Sequence, residues 1–507
     1  MKVNKILSAS LAILLGWSGT ALAQNEVDAL RYTRYGLTGS ARIQGIGGAQ
    51  TALGADVSTI ASNPAGLGMF RRSEFSISPS LNFATSRARA FNSSTSAETI
   101  TNDERNSLGI PHAAFVFSER HNDSDQSDWR GATFGMSFTR LNNFNSRISY
   151  RNTAGPEDPT IVEYFAEQAN LNGRTQRDLD DEYDNGFTTL EGLAYGAFLF
   201  DLNDNGFAEG VPRGGNVNQA EEIIRRGSQN QIDIAGGTSY RDQVYLGASL
   251  GITTSDFRQE RFFREAEEDA GTDFTNLELR DEFRTRGTGI NLKVGIIARP
   301  SDMIRLGASI QTPTLYNFNE TYQRSMYSTF LPGENYSALE IPGEFSYRLT
   351  TPFRANGGIA FFLKKYGFIT ADVEYVNYAN ARFSEDDDFG GNSAYFNDVN
   401  DRISSTYQSA LNFRVGAEAR YEVFRFRAGY AITGNPYRDA DMDGGVNTFT
   451  LGTGVRLNKF YTDIAFASSK VNSLYSPYAF NDPAVMVPVV DIEEKLNTVT
   501  LTLGYNF

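Results

Sequence analysis

The sequence contains no cysteine, and it has only two histidines and two tryptophans among 507 residues. The absence of cysteine excludes a disulfide scaffold, a thiolate metal site and a cysteine nucleophile. His112 and His121 are too few for the usual histidine-based catalytic or metal sites, so we expect no enzyme, no cofactor and no metal. Acidic residues outnumber basic ones by 61 to 46, which argues against a nucleic-acid partner.

The composition is rich in aromatic residues and glycine, with 37 Phe, 25 Tyr and 47 Gly. Aromatic side chains favour half-buried strands, so the composition indicates a protein rich in β-structure.

The first 23 residues have the features of a secretory signal peptide. Lys2 and Lys5 precede a short apolar run, and Ala21-Leu22-Ala23 places small residues where a signal peptidase cleaves. We expect cleavage before Gln24, since the apolar run is short for a membrane anchor. Downstream of it there is no run long enough for a membrane helix.

Segments of alternating apolar and polar residues recur along the chain. Near the C-terminus Val499, Leu501 and Leu503 alternate with threonines. Fourteen such segments are predicted as strands, near residues 73–85, 111–118, 132–141, 229–239, 243–254, 287–299, 303–313, 345–363, 366–378, 408–421, 423–432, 446–457, 460–469 and 496–507. An even number of strands is typical of single-chain membrane barrels, and the alternation would place lipid outside and a polar lumen inside.

The connections between these segments alternate in length. Tight turns are predicted at 240–243, 299–303, 363–367, 421–423 and 457–460, with long acidic loops between them, of which 142–228 is the largest. Within that loop, Val217 to Arg226 predicts a short surface helix. With Phe507 as the terminal strand residue, these features predict an all-β, 14-stranded antiparallel transmembrane barrel over residues 73–507. A soluble β-sandwich is the alternative.

Residues 24–72, between the signal and the first strand, are rich in small and polar residues. A wide barrel leaves a lumen that a channel or a plug must occupy, so we expect this stretch to fold inside as a hatch. Its motifs include Gly47-Gly48 and Asn63-Pro64-Ala65.

With its Asn63-Pro64-Ala65 triplet between a signal peptide and the first of fourteen strands, the chain resembles the FadL/TodX family of outer-membrane transporters. The match also includes Gly39-Ser40-Ala41-Arg42 and Gly48-Ala49. The resemblance implies a monomeric barrel in the outer membrane of a Gram-negative bacterium, surrounded by lipid and lipopolysaccharide. It would passively transport hydrophobic compounds such as fatty acids or aromatic hydrocarbons, and would take up detergent. The large 142–228 segment departs from the family pattern, so a ligand pocket cannot be transferred residue by residue.

The resemblance also implies a lateral exit for the solute near a kinked third strand. Gly131 and Gly135 lie on that strand and are candidates for the bend, since glycine in a strand marks bends and bulges. The alternative is that these glycines only fit a crowded lumen.

Charged residues fall on the polar faces of several strands. They are expected to form a network inside the lumen, which includes Arg354, Arg414, Arg425, Arg427, Arg456, Asp372, Glu374 and Asp463. Buried charges are costly unless paired, so structural ion pairs that fasten the plug are one interpretation. A site for an anionic head group is the other.

Aromatic residues in and beside one long loop predict a groove for capturing an apolar ligand, formed by Tyr316, Phe318, Tyr322, Tyr327, Phe330 and Tyr336. An alternative function is that of a FadL-like barrel whose long loops bind a protein of a secretion system. The aspartate-rich stretches at 201–206 and 439–444 resemble the start of calcium loops but lack the closing acid, so solvated turns are the expectation there.

Overall fold

The structure, a computed structural model, describes residues 26–91, 98–121, 127–268, 272–385, 393–482, 484–485 and 487–507. The predicted signal peptide, residues 1–23, lies outside the described residues.

The wall is a closed antiparallel barrel of fourteen wall strands, as the alternation predicted. Each wall strand pairs with the next along the chain, and the last pairs with the first to close the barrel. Four wall strands are interrupted and consist of two segments each, namely β3 with β4, β10 with β11, β13 with β14, and β15 with β16. The strand bounds are β1 Glu74–Phe91, β2 Glu98–Arg120, β3 Trp129–Asn143, β4 Ser146–Ala154, β5 Phe200–Leu202, β6 Ala208–Gly210, β7 Val217–Tyr240, β8 Val244–Glu267, β9 Phe274–Ala298, β10 Ile304–Gln311, β11 Leu315–Phe330, β12 Glu334–Leu339, β13 Gly343–Thr350, β14 Arg354–Phe362, β15 Gly367–Asn377, β16 Arg382–Glu385, β17 Ser409–Tyr421, β18 Phe424–Thr433, β19 Val446–Arg456, β20 Phe460–Tyr475 and β21 Val489–Asn506.

Helices occur in the N-terminal segment and in the long connections. The α-helices are α1 Glu26–Thr33, α2 Ala41–Gln44, α3 Thr59–Ser62, α4 Ile161–Leu171, α5 Gln176–Asn185, α6 Leu190–Gly196 and α7 Ser393–Thr406. Two 3-10 helices span Pro64–Met69 and Tyr378–Asn380. Among the described residues, no helix combines the length and the apolar composition needed to cross a bilayer.

The strands carry apolar residues outward and polar residues inward. On β9, Ile290, Leu292 and Val294 are about half exposed, whereas Asn291 and Lys293 between them are buried. Successive side chains of a strand point to opposite faces, so this sequence pattern alone determines which face meets the interior. Exposed leucine, isoleucine, valine and phenylalanine continue around the barrel in the half near the short turns.

The two ends of the barrel differ as the connections predicted. Short turns join β7 to β8, β9 to β10, β14 to β15, β17 to β18 and β19 to β20 at one end, which we call the short-turn end. The long connections lie at the opposite, long-loop end.

The strands run further toward the long-loop end than the sequence predicted. The expected surface helix at Val217 to Arg226 is wrong, because these residues form the start of β7 and pair with Arg258 to Glu267 of β8. The predicted 142–228 loop is likewise too long, since only residues 155–216 leave the wall.

Residues 155–216 form a small cap at the long-loop end. Helices α4 and α6 bury Phe165 and Leu193 in a hydrophobic cluster with Phe263 of β8 and Leu277 of β9. The cap therefore packs on the tops of the wall strands.

Residues 26–72 lie in the interior of the barrel, and we call them the N-terminal segment. Its α1 helix packs near α7 at the long-loop end, and its 3-10 helix, Pro64–Met69, packs on β7, β8 and β9. Residue 74 then begins β1 at the short-turn end.

Candidate functional site

The Asn63-Pro64-Ala65 motif is fastened to the wall by the Asn63 side chain. Its amide nitrogen donates to the Thr51 carbonyl at 2.7 Å and to the Ile296 carbonyl of β9 at 3.3 Å. Its amide oxygen accepts from the Ala65 backbone N–H at 3.2 Å, which caps the following 3-10 helix. One fully buried side chain thus links two parts of the N-terminal segment to the wall.

Three directly paired wall glycines face this motif. Gly237, Gly247 and Gly295 are opposite one another on β7, β8 and β9. A β-carbon at Gly247 would overlap the Pro64 carbonyl group, and one at Gly295 would overlap the Asn63 side chain. Main chain therefore packs against main chain here, which only glycine permits.

Gly47 and Gly48 lie against the opposite wall. Both have positive φ, at 68° and 79°, which glycine adopts without strain. The Gly47 N–H donates to the Thr450 hydroxyl of β19 at 3.0 Å. The adjacent Ile46 is in contact with Gly416 and Gly429, where a β-carbon would overlap it.

Wall side chains bind the remaining main chain of the N-terminal segment. Asp372 of β15 accepts from the Gln50 and Thr51 amides at 2.7 and 2.8 Å, and from the Thr51 hydroxyl at 2.8 Å. Similar contacts join Thr502 to the Ala41 amide, Lys293 to the Ala61 carbonyl and Arg305 to the Leu53 carbonyl.

Three of the predicted lumen charges, Arg427, Arg456 and Asp463, belong to a buried ion-pair network near the short-turn end. Arg427 contacts Glu418 at 2.8 Å and Asp463 at 2.7 Å, and Arg456 contacts Asp463 at 2.9 Å. Arg42 of the N-terminal segment extends the network by contacting Glu418 at 3.5 Å.

Arg42 also contacts Asp56 within the N-terminal segment, at 3.4 Å. Burial acts to raise the pKa of the Asp56 carboxyl, but Arg42 and hydrogen bonds from Ser58 outweigh it and lower the pKa. The Asp56 carboxylate is therefore kept in its charged form by its own segment.

A second cluster lies at mid-lumen, beside a cavity of about 100 Å³. Arg354 and Arg414 contact Glu374 at 3.1 and 3.4 Å. The cavity is lined mainly by polar groups, among them Lys293 and Asp372. Arg425 does not join either cluster: it donates to the Glu422 and Phe424 carbonyls at the short-turn end, so its predicted place in the network is wrong.

The six aromatic residues predicted as one capture groove are divided among different surroundings. Tyr316 and Phe318 are buried inside the barrel, whereas Phe330 and Tyr336 contact each other at 5.8 Å between ring centres near the cap. Tyr322 is half-buried at the start of the β11–β13 pairing, and Tyr327 is exposed with its hydroxyl on Asn335. The single groove is wrong because Tyr316, Phe318, Tyr322 and Phe330 are spread along the length of β11, Tyr327 points to the opposite face, and Tyr336 lies on β12.

The structure instead forms an interior aromatic chamber near the long-loop end. We define it by Phe144, Phe257, Tyr316, Phe318 and Tyr347. Ring centres of Phe318 lie 5.0 Å from Tyr316 and 5.4 Å from Tyr347, and Phe144 lies 5.3 Å from Phe257. Sequence reasoning missed Phe144, Phe257 and Tyr347. The inward positions of Phe257 and Tyr347 follow from strand alternation once the register is known, whereas Phe144 lies in the break between β3 and β4.

The hydrogen-bonded ladder between wall strands two and three is incomplete. Pairing between β2 and β3 ends at His112 and Thr139. Beyond that point β2 pairs only with β1, while β4 continues along β7. We call this lapse the seam.

Beyond the seam, β4 passes along the inner face of β1 and β2. Ile148 and Tyr150 pack on Ala88 and Ala90 of β1. The Asp103 carboxylate of β2 accepts from the Ser149 amide and hydroxyl, both at 2.7 Å. Side chains, not backbone pairing, therefore close the wall here.

The seam lies on the predicted third strand but not at the predicted glycines. Gly135 is paired on both sides, with Val116 and Ala235, and faces Ile60 of the N-terminal segment. Gly131 has positive φ at a bulge next to the short-turn end. The interruption is instead at residues 144–145, where the Phe144 amide donates to the Gly227 carbonyl.

His112 is buried with its Nδ1 on the Thr139 hydroxyl at 3.1 Å. Within the described ranges, no group of three or more acidic or histidine side chains is arranged to hold a metal ion.

Solved structures share this architecture. The chain superposes on a Pseudomonas aeruginosa FadL homologue with a TM-score of 0.53 at 12% identity, covering 94% of this chain and 100% of that one. It superposes on the P. putida toluene transporter TodX with a TM-score of 0.51 at 12% identity, covering 94% and 99%. No protein-family model and no curated protein sequence matches the chain.

The fold and its occupied lumen define the class of protein: a closed fourteen-stranded barrel with its N-terminal segment inside. Within that class the chain has the FadL/TodX type of barrel, so the resemblance carried by the Asn-Pro-Ala motif is confirmed at the level of the fold.

Proposed function

We propose that this protein is a passive channel for hydrophobic compounds in the bacterial outer membrane. The observation that carries the proposal is an interior aromatic chamber within a barrel of the FadL/TodX fold. An apolar outer surface suits a bilayer, and the long loops would face the cell exterior. We propose that it acts as a monomer, surrounded by lipid and lipopolysaccharide.

The solutes that suit this interior are aromatic hydrocarbons or fatty acids. Aromatic side chains offer an apolar solute a favourable surface that the polar lipopolysaccharide layer lacks. The similar fold of a toluene transporter supports this substrate class.

We propose that the N-terminal segment, residues 26–72, is the predicted hatch and blocks the straight path to the short-turn end. Its main chain packs on Gly237, Gly247 and Gly295, and Asp372 binds it by three hydrogen bonds. A solute would therefore need the hatch to move, or another exit.

We propose that the seam is this exit. At the seam the ladder between wall strands two and three lapses, while side-chain contacts such as Asp103 to Ser149 keep the wall closed. Opening it would break few backbone hydrogen bonds, and the solute would leave sideways into the lipid.

Uptake by intact cells tests both parts of the proposal. Cells of a Gram-negative host without such channels would produce the protein, and uptake of labelled toluene and oleate would be measured. The channel predicts faster uptake of at least one solute than in the empty host. Equal uptake of both would reject the channel.

A thiol cross-link tests the exit separately. Asn143 donates to the Ser107 hydroxyl across the seam at 3.3 Å, so Ser107→Cys with Asn143→Cys can be joined by a short bifunctional maleimide. Ser107→Cys with Asn82→Cys is the matched control, because Asn82 pairs with Ser107 in the intact β1–β2 ladder. Cross-linking should slow uptake only in the seam pair, and equal uptake in both would reject the lateral exit while leaving the channel standing.

A further inference from the structure

The aromatic chamber is occupied by a side chain of the N-terminal segment. Tyr32 of α1 is fully buried, and its ring centre lies 4.4 Å from Phe318 and 6.3 Å from Phe144. Arg31 of the same helix covers the Phe257 ring at 4.0 Å. One phenol ring, tethered to a short helix, therefore occupies the chamber.

Most rings of the chamber belong to wall strands and not to the N-terminal segment that carries Tyr32. Phe257 belongs to β8, Tyr316 and Phe318 to β11, and Tyr347 to β13. Phe318 contacts Tyr316 and Tyr347 directly, and Phe257 contacts Phe144. Tyr32 lies between these two groups of rings. Removing Tyr32 would leave a ring-sized space between preformed walls, and apolar cavities of this kind bind aromatic molecules.

The far end of the chamber is polar and poorly satisfied. The Tyr32 hydroxyl lies beside Thr285, Glu320 and the Arg31 guanidinium, but none of these contacts has the distance and angle of a good hydrogen bond. Thr285 and Glu320 bond to each other at 3.2 Å. The Tyr347 hydroxyl is also buried without a hydrogen-bond partner among the described residues. A buried polar group without a partner costs free energy, and a tethered tyrosine is not free to shift and remove that cost.

The rest of α1 is held mainly through its main chain. Gln229 donates to the Tyr32 carbonyl at 3.0 Å, and the Tyr407 hydroxyl donates to the Glu26 carbonyl at 3.0 Å. Ala29 and Tyr32 are the helix's residues in the hydrophobic cluster around the chamber, with Leu30 packed at its edge. If another ring replaced Tyr32, the aromatic contacts of the chamber would be retained, and α1 would lose these polar contacts together with the contacts of Ala29, Leu30 and Arg31.

We propose that Tyr32 is a built-in ligand, and that the chamber binds a free single-ring phenol that displaces it. The inference rests on the proposed channel function and narrows its substrate class to small hydroxylated aromatic compounds. A free phenol enters the same aromatic walls and can turn its hydroxyl toward Thr285, Glu320 and Tyr347. Toluene would fill the same space between the aromatic rings but could not form a hydrogen bond with these polar groups, so it would bind more weakly.

The probe for this proposal is p-cresol, the side-chain analogue of tyrosine. Full-length protein in nanodiscs would be studied by hydrogen–deuterium exchange and by binding measurements. In the wild type, p-cresol should increase exchange in Glu26–Thr33, because Tyr32 leaves the chamber. In Tyr32→Ala no tyrosine ring occupies the chamber, so the ligand has none to displace. We therefore expect p-cresol to bind at least about tenfold more tightly to this variant than to the wild type.

Two further variants make the result specific. Tyr478→Ala removes an equally buried tyrosine from the cap cluster and should leave p-cresol affinity unchanged. Tyr32→Phe keeps the ring but removes the unsatisfied hydroxyl, so it should hold the chamber more firmly and weaken p-cresol binding. Heat-shifted migration on gels would verify that each barrel is folded.

The proposal is overturned if p-cresol leaves exchange in α1 unchanged, or if Tyr478→Ala gains as much affinity as Tyr32→Ala. Toluene binding as tightly as p-cresol to Tyr32→Ala would overturn the role of the hydroxyl. These outcomes are independent of the cellular uptake of toluene and oleate. The uptake experiment alone therefore decides whether the channel function is correct.

Discussion

Single polar side chains hold the interior of this barrel together by binding main chain. Asp372 and Asn63 each make three hydrogen bonds, and all but one of these are to backbone groups. Such contacts satisfy buried backbone groups that have no secondary-structure partner. The sequence motif indicated Asn63, but Asp372 could be assigned only to the lumen, because its partners lie 321 or more positions away along the chain.

Asn63→Ala should loosen the N-terminal segment. The variant loses the cap of the 3-10 helix and the bonds to Thr51 and Ile296, at a cost of about 1–2 kcal/mol. We expect more frequent open events in planar-bilayer conductance recordings. Asn377→Ala is the matched control, since Asn377 caps the Tyr378–Asn380 helix in the same way, outside the N-terminal segment. Equal conductance of the two variants would contradict the role of Asn63.

Asp28 should make the docking of α1 depend on pH. Burial raises the pKa of its carboxyl to about 6, although Arg31 opposes the shift and Glu26 adds to it. A carboxyl with a raised pKa favours the docked state below its unfolded pKa near 3.8, and this contribution is lost as the pH rises through about 6. The charged and titratable groups around it on the packed elements are Glu26, Arg31, Tyr32, Glu320, Tyr347, Tyr395, Arg402 and Tyr407.

Exchange protection factors of Glu26–Thr33 measure this effect. They should be higher at pH 5 than at pH 7.5 in the wild type. Asp28→Asn should remove most of the difference, because the amide does not titrate in this range. An unchanged pH dependence in Asp28→Asn would assign the effect to another group.

At the scale of elements, alternation located all fourteen wall strands but not their full lengths. Beyond the lipid-facing band the outward residues become charged, as with Arg284 and Arg286 on β9, so the apolar signal stops while the strand continues. The helix predicted at Val217 to Arg226 has the same cause. Its inward residues include buried Gln219 and Glu221, and a strand with polar residues on both faces has no apolar period to recognise.

The row of wall glycines should be the least tolerant part of the strands. Gly247→Ala would place a methyl group in the Pro64 carbonyl, and the overlap should cost about 1–3 kcal/mol or push the segment from the wall. Gly236→Ala, on the outward face of β7, would meet only the Phe134 ring at 3.7 Å. The temperature at which gel migration shifts should fall for Gly247→Ala alone. Equal falls for both variants would show that strand propensity, not the close contact, sets the effect.

At the scale of the whole molecule, the sequence predicted a closed barrel with an occupied lumen. The aromatic chamber and the seam could not be predicted from the sequence, because both depend on which strands, distant in the chain, become neighbours. The chamber brings together residues of β8, β11 and β13 around Tyr32 of the N-terminal segment, and the seam depends on where the pairing between β2 and β3 ends. A single sequence read locally contains neither relation.

The cap should be dispensable for the barrel. Residues 156–213 form their own cluster with the strand tops and share no hydrophobic cluster with the N-terminal segment. Replacing them by a short glycine-serine linker should leave heat-shifted migration and the exchange protection of residues 26–38 intact. Shortening the loop at 436–444 should instead reduce that protection, since Arg34 donates to the Gly444 carbonyl at 2.6 Å. Loss of protection in the cap deletion would show that the cap stabilises the interior.

The hydrogen bonds between the N-terminal segment and the last strands constrain the order of assembly. Ala41 and Gln44 precede β1 in the chain, but their partners Thr502 and Thr500 lie on β21, the last of the fourteen wall strands. The same strand closes the barrel by pairing with β1. These two hydrogen bonds cannot form until β21 is in place. The N-terminal segment must also lie inside the barrel before β21 pairs with β1. When β21 closes the barrel, it therefore encloses a segment that precedes β1 in the chain.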